Sequence, residues 1–279
     1  MATATGKQKK LALITDLAGY GRCALSVQMP IISALKTQCC PIPTSFFSNH
    51  SAFPSFYMQD FTEHMTPYID KWKELGFTFD GMCSGFLSSA AQMEIVKNFF
   101  HDFKTDTSVI IVDPVMGDHG KLYSTYTPAM CEEMKKLVTY ADIITPNLTE
   151  ALVLTGRAYV DKKWTGAELE QIADDLISMG PKKVVITGIA MGSYVGNYLK
   201  CAGEKGKLLR TKKVGTPRHG TGDIFSSIIA ADALQDVPFE TSVRKASHFI
   251  QKCILKSEEL QIPVIDGVCF EQVLSELIK

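Results

Sequence analysis

The run Ser108-Val-Ile-Ile-Val-Asp113 constrains the fold more than any other stretch. Four consecutive β-branched residues suit a strand buried on both faces better than a helix, and an acid followed by a proline ends the run. Shorter apolar runs at 10–15, 79–84, 141–145 and 183–187 repeat the pattern. Segments with helical spacing of their apolar residues follow at 23–36, 89–103, 128–139, 147–156 and 166–179. Residues 40–47, interrupted by two prolines, predict a strand with an irregular edge, followed by a loop around 48–51 and a helix over 58–75 that stops at Gly76. A hairpin over 194–201 and 206–214 and three helical stretches at 222–235, 240–257 and 267–278 complete the pattern. Strand–helix alternation of this kind, with strands apolar on both faces, predicts an α/β fold: a mostly parallel central sheet covered by helices on both sides. No Pro/Ser/Gly linker, internal repeat or low-complexity tract divides the chain, so one domain over 10–279 is expected behind a flexible N-terminus at 1–9.

Composition narrows the function classes. With 279 residues, 46% of them hydrophobic, the chain is long enough to bury a sizeable core without staples. Formal charge is 29 − 30 = −1, which predicts no general affinity for nucleic acid or anionic membranes. No apolar stretch approaches the ~20 residues of a membrane span, and the lysines near the N-terminus precede no apolar core of a secretory signal. The eight cysteines are scattered without C-x-x-C spacing, and adjacent Cys39 and Cys40 cannot easily chelate one metal. Reduced thiols in a cytoplasmic protein are expected, and a redox role for Cys39 and Cys40 lacks any partner motif.

In such sheets ligands sit beyond the carboxyl ends of the strands, and three segments there carry chemistry. Gly220-Thr-Gly-Asp223 opens a helix: two glycines let backbone N–H groups converge, the helix N-terminus adds positive potential, and Asp223 sits where a base would take a hydroxyl proton. A tight turn with an N-terminal helix acid fits the same residues. Thr145-Pro-Asn147-Leu-Thr-Glu150 has capping-box spacing, and also places a carboxylate and an amide where a hydrated Mg²⁺ beside phosphates needs few protein ligands. Asp113-Pro-Val-Met-Gly-Asp118 sets two acids after the best strand, as a metal and phosphate platform or as a solvated turn.

Asn147-x-x-Glu150 and Gly220-Thr-Gly-Asp223, in this order and spacing, resemble the ribokinase-like small-molecule kinases. Phe47-Ser-Asn-His-Ser51, Ser84-Gly-Phe-Leu-Ser88, Asp113-Pro-Val-Met-Gly117 and Ala141-Asp-Ile-Ile-Thr-Pro-Asn147 resemble, among them, the pyridoxal/pyridoxamine kinases, and the likeness runs over residues 10–260. The resemblance implies a three-layer α/β/α ribokinase-like fold. It also implies ATP-dependent phosphorylation of the 5′-hydroxymethyl of a B6 vitamer (pyridoxal, pyridoxine or pyridoxamine), by in-line transfer in a homodimer. It makes Asp223 the general base and Gly220, Thr221 and Gly222 the anion hole. Asp16, Phe47 and Ser51 would face the pyridine ring together with Asp223. Asp113, Asn147, Thr187, Gly188, Val214, Gly215, Thr216 and Thr221 would bind ATP. Asp118, Glu150 and Asn147 would hold Mg²⁺, and Thr145 and Thr187 would lie by a monovalent cation, K⁺ or Na⁺. Two positions depart from the pattern, Asp16 where family members commonly carry Ser and Ser51 where they carry Thr, and Tyr20-Gly-Arg-Cys-Ala24 keeps only part of the family's glycine-containing loop. An anionic Asp16 would favour the aminomethyl cation of pyridoxamine. His219 resembles the related hydroxymethylpyrimidine kinases, which often have Cys in place of Asp223. Hydroxymethylpyrimidine kinase is therefore the alternative within the fold, and a catalytically silent vitamer-binding protein the alternative outside the enzymes. His50 is expected to make structural hydrogen bonds.

Overall fold

The computed structural model describes residues 8–278. In chain order the elements are β1 (Lys9–Tyr20), α1 (Leu25–Ala34), β2 (Thr37–Asn49), β3 (Met58–Asp60), α2 (Thr62–Glu74), β4 (Gly81–Ser84), α3 (Ala90–Phe103), β5 (Val109–Val112), β6 (Gly117–Asp118) and β7 (Lys121–Leu122). There follow α4 (Pro128–Val138), β8 (Ile143–Ile144), α5 (Leu148–Leu154), α6 (Gly166–Ser178), β9 (Lys183–Met191), β10 (Tyr194–Cys201), β11 (Lys207–Lys212), α7 (Thr221–Leu234) and α8 (Phe239–Glu259). Two 3-10 turns, Val264–Asp266 and Glu271–Leu277, end the described chain.

The main sheet runs β11-β10-β9-β8-β5-β4-β1-β2-β3. All neighbours from β9 to β2 are parallel, and only the flanking β3, β10 and β11 pair antiparallel. Period-two alternation of the strands divides the core. Ala12, Ile14, Met82, Ile110, Val112, Ile144, Val184 and Ile186 pack with α2 to α6. Leu11, Leu13, Cys83, Ile111, Ile143 and Val185 pack with α1, α7 and α8. This is the expected three-layer α/β/α arrangement, with each buried aliphatic side chain worth roughly 2 kcal/mol of transfer free energy. All eight cysteines are free. Among the described residues no helix is long and apolar enough to cross a membrane.

Three expectations change. The start of the helix expected over 58–75 is the edge strand β3, because Met58 to Asp60 pair with Phe47 to Ser45. Of the segment expected helical at 267–278, only Glu271–Leu277 is, and it is a 3-10 helix. Between β5 and α4 the chain makes an extra small hairpin, β6–β7, whose turn residues His119 and Gly120 both take positive φ. Of the flexible N-terminus expected at 1–9, residues 1–7 lie outside the described residues, and Lys9 already belongs to β1.

Candidate active site

Successive parallel strands run outward in opposite directions from the β1–β4 boundary. The crevice beyond these two strand ends is therefore where a ligand is expected. At that boundary Thr15 Oγ1 accepts the Phe86 N–H at 3.2 Å and lies 3.3 Å from Asp16 Oδ1. A Cβ at Gly85 would come within 2.7 Å of the same hydroxyl, so only glycine allows this approach. Asp16 sits where the β1–β2 register slips between Thr15 and Leu17, and the bulge frees it from ladder pairing with β2.

Asp16 is 9% exposed. Burial, and then the negative charge of Asp223, push its carboxyl up to about 7. Asp113, after β5, is likewise raised by burial and by Asp223, with Ser226 and Thr145 hydroxyls pulling the other way. Glu150 is raised by burial and Asp113, and Asp223 by burial. Asp223 is held from the other side by the Ala24 backbone, which favours its ionised form. Among the described residues none of these four carboxyls forms an ion pair. Four uncompensated acids in one crevice cost stability that a cation or a cationic ligand would return.

The folded value of Asp16 lies above the ordinary 3.8, so the fold binds a proton that the unfolded chain releases. Stability therefore falls as pH rises through that window and levels off above about 7. Asp16→Asn is expected to raise the melting temperature of the ligand-free protein by roughly 5 °C at pH 8, with the gain shrinking towards pH 4. A gain independent of pH in thermal scans would contradict the assignment.

The 220–223 turn enters α7 with Gly220 left-handed at φ 86. A Cβ there would lie 2.2 Å from the Arg22 carbonyl oxygen, so Gly220 is required by the backbone itself. Gly222 differs: its φ is not positive and a Cβ would meet nothing within 4 Å. Among the described residues, then, nothing requires glycine at 222. Beside the turn, burial, and then the charges of Asp223 and Asp16, push the Cys23 thiol well up.

On the other flank the residues expected to bind metal and phosphate also do structural work. Asn147 and Glu150 form a full capping box: Asn147 Oδ1 accepts the Glu150 N–H at 3.0 Å and Glu150 Oε2 accepts the Asn147 N–H at 2.8 Å. Glu150 Oε1 also accepts the Met116 N–H, and Asn147 Nδ2 donates to the Gly117 carbonyl. The pair thus fixes the 113–118 loop against α5. Asp118 is exposed in β6, and its Oδ1 takes the N–H of His119. Thr187 bridges Asn147 and donates its N–H to the Pro146 carbonyl, which sets Thr187 and Gly188, on β9, against the 146–147 segment, and Thr145 directly follows β8. Gly215 and Thr216 lie against α8, where Glu258 Oε1 accepts the Thr216 N–H at 3.0 Å, and Val214 precedes them. Phe47 is buried between Phe56 and Phe86. Ser51 is exposed in the loop after β2.

The profile of the phosphomethylpyrimidine kinase family matches residues 74–265. The chain belongs to this family. Its match holds the 113–118, 145–150 and 220–223 segments, while Asp16, Phe47 and Ser51 lie upstream of it. The family member is 31% identical to a hydroxymethylpyrimidine/phosphomethylpyrimidine kinase of Haemophilus influenzae over 61% of this chain and 63% of that protein. It is 30% identical to pyridoxal kinase of Bos taurus over 75% of this chain and 73% of that one. The chain thus spans a little under two thirds of the Haemophilus relative's length. A solved Bacteroides thetaiotaomicron structure, of a protein provisionally assigned as a phosphomethylpyrimidine kinase and crystallised with pyridoxal, superposes with a TM-score of 0.94. That likeness has 35% identity, over 98% of this chain and 96% of that one. Pyridoxal kinase structures, such as that from Leishmania donovani with ADP and pyridoxamine (TM-score 0.88, 22% identity, 96% and 95% coverage), share the fold.

Sequence reasoning marked residues 20–24 only as a partial match to a glycine-containing loop and missed the residues that grip it. Arg22 and Ala24 carry no motif, and the only local signal is the glycine at 21. His50, by contrast, is as expected: its ring nitrogen lies 2.7 Å from the Ile265 carbonyl, and its ring packs on Phe53 and His219.

Proposed function

We propose that the chain is an ATP-dependent kinase acting on the 5′-hydroxymethyl group of a B6 vitamer. The observation that carries the reading is the pairing of Asp223, at the open first turn of α7, with a second buried acid, Asp16, at the β1–β4 switch point. Asp223 is placed to receive the proton of a substrate hydroxyl, and raised toward neutrality it is closer to the value an efficient base needs. The backbone N–H groups of 220–222 point out of an α7 terminus that has no side-chain cap, and would bind charge developing on a transferring phosphoryl group. Asp16 would take the substituent side of the ring and Phe47 one ring face. Gly188, Val214, Gly215 and Thr216 would line the nucleotide, with Thr145 and Thr187 near a monovalent cation, K⁺ or Na⁺.

The donor set suits Mg²⁺. The crevice offers carboxylate and amide oxygens without an ion-pair partner, and among the described residues no three acidic, histidine or cysteine side chains converge to cage a metal. Such a sparse set leaves room for waters and phosphate oxygens, as Mg²⁺ prefers. Asp118 and Glu150, with Asn147, would hold it partly through its waters, where it would neutralise phosphate charge, and Asp113 would face the phosphates. Because Glu150 and Asn147 also fix the 113–118 loop, they position Asp113 and Asp118 as well as adding oxygen ligands.

A second reading has its own support. The family profile and the Haemophilus relative favour hydroxymethylpyrimidine as acceptor, whereas the 35%-identical Bacteroides structure was crystallised with pyridoxal. The deciding experiment is ATP consumption with Mg²⁺ and K⁺ on pyridoxal, pyridoxine, pyridoxamine and hydroxymethylpyrimidine in parallel. Turnover on the vitamers, with pyridoxamine favoured above pH 7 where Asp16 is ionised, is the expected result. Turnover confined to the pyrimidine would replace this reading with the second. Binding of a vitamer with no turnover would make the chain a carrier.

A further inference from the structure

Residues 262–271 touch each loop that shapes the 220–223 turn. Arg218 Nη1 donates to the carbonyls of Ile262 and Pro263 at 2.8 and 3.1 Å. His50 accepts the Ala52 N–H on Nδ1, so its other nitrogen carries the proton it gives to Ile265. The Val268 N–H donates to the His219 carbonyl at 3.0 Å. Arg22 is held most firmly. Its backbone N–H and Nη1 both donate to the Asp266 carbonyl at 3.2 Å, and Nε pairs with Glu271 at 2.7 Å. Gly267, left-handed at φ 81, lets the backbones meet, since a Cβ there would lie 2.9 Å from the Arg22 Cβ.

From this grip Arg22 reaches the turn. Its carbonyl is the atom that excludes any side chain at 220. Two residues on, Ala24 adopts φ 51 and ψ −139, a strained conformation for a residue with a Cβ, and its backbone faces the Asp223 carboxylate. Alanine has no polar side chain to stabilise that conformation locally, so the surroundings must impose it. We propose that Arg22 is a positioning residue: gripped by residues 262–271, it holds the strained Ala24 turn against Gly220 and Asp223, so that the C-terminal segment sets the geometry of the phosphoryl-transfer site.

The role rests on the kinase reading for its chemistry but not for its structural test. The Arg22–Glu271 pair is partly exposed, so its loss costs little global stability. In Arg22→Ala, amide hydrogen exchange at 22–24 and 220–224 is expected to accelerate about tenfold while the rest of the sheet keeps its protection. Glu271→Gln, which removes only the ion pair's charge, is expected to show a smaller acceleration at the same amides. On the preferred vitamer, kcat of Arg22→Ala falls roughly 10- to 100-fold with KM for ATP nearly unchanged, and Arg22→Lys recovers part of the loss. Unchanged exchange at 220–224 in both Arg22→Ala and Glu271→Gln overturns the proposal. So does a loss of kcat tracked entirely by a loss of folded protein. If the wild-type protein turns over none of the four acceptors, the kinase reading fails, and the exchange experiment still decides whether Arg22 holds the turn.

Discussion

Asp223→Asn is expected to lower kcat by roughly 10²- to 10⁴-fold, the usual worth of a general base, while vitamer affinity stays within about threefold. Asn has nearly the same shape and its Oδ1 still accepts a hydrogen bond from the Ala24 backbone, so the turn keeps its form. What disappears is the site for the proton. The substitution also removes a charge that raises Asp16 and Asp113, so both carboxyls move back toward their ordinary range. Calorimetric binding of the vitamer set beside steady-state turnover separates the two effects. An unchanged rate would take Asp223 out of the chemistry. A rate and an affinity that collapse together would make it a binding residue.

Gly220→Ala and Gly222→Ala are expected to fail in opposite ways. At 220 the new methyl meets the Arg22 carbonyl oxygen at 2.2 Å and sits on a left-handed backbone. Backbone strain and displacement of the β1–α1 loop together predict a loss of about 3 kcal/mol or more. At 222 the methyl meets nothing and the residue lies in the first turn of α7. Alanine there leaves stability unchanged or raises it by up to ~1 kcal/mol through helix propensity. Its cost falls on the reaction, because the methyl stands where a phosphoryl group must approach the backbone N–H groups. Denaturation midpoints and kcat/KM measured on both variants give the test. If Gly222→Ala keeps full activity, the turn is not where phosphate binds.

The parts of the fold that were legible in the sequence are those written in local patterns. β5 announces itself through four β-branched residues, and α5 through Asn147 and Glu150 at capping distance. β3 escaped because Met58 to Asp60 become a strand only by pairing with Phe47 to Ser45, and the helix beyond masks them. The β6–β7 hairpin is two residues a side, too short for any periodicity. Within the candidate site, the acids and glycines stood out because they lie just beyond apolar strands, where ligands of such sheets bind. Their neighbours did not. Arg22 reads as an ordinary surface cation, and only its contact with Asp266 and Glu271 gives it a role. The resemblance likewise pointed to Asn147 and Glu150 as ligands, where the structure adds that both hold the 113–118 loop.

The contact between Arg22 and Glu271 spans 249 positions. During synthesis its two halves leave the ribosome far apart in time: at about 5–20 residues per second the second follows the first by on the order of ten seconds or more. The sheet, assembled largely from neighbours in the chain, has no such wait. A nascent molecule can thus display much of its sheet while the loop beside Asp223 still lacks its anchor, and residues 262–271 complete the arrangement only once they are made.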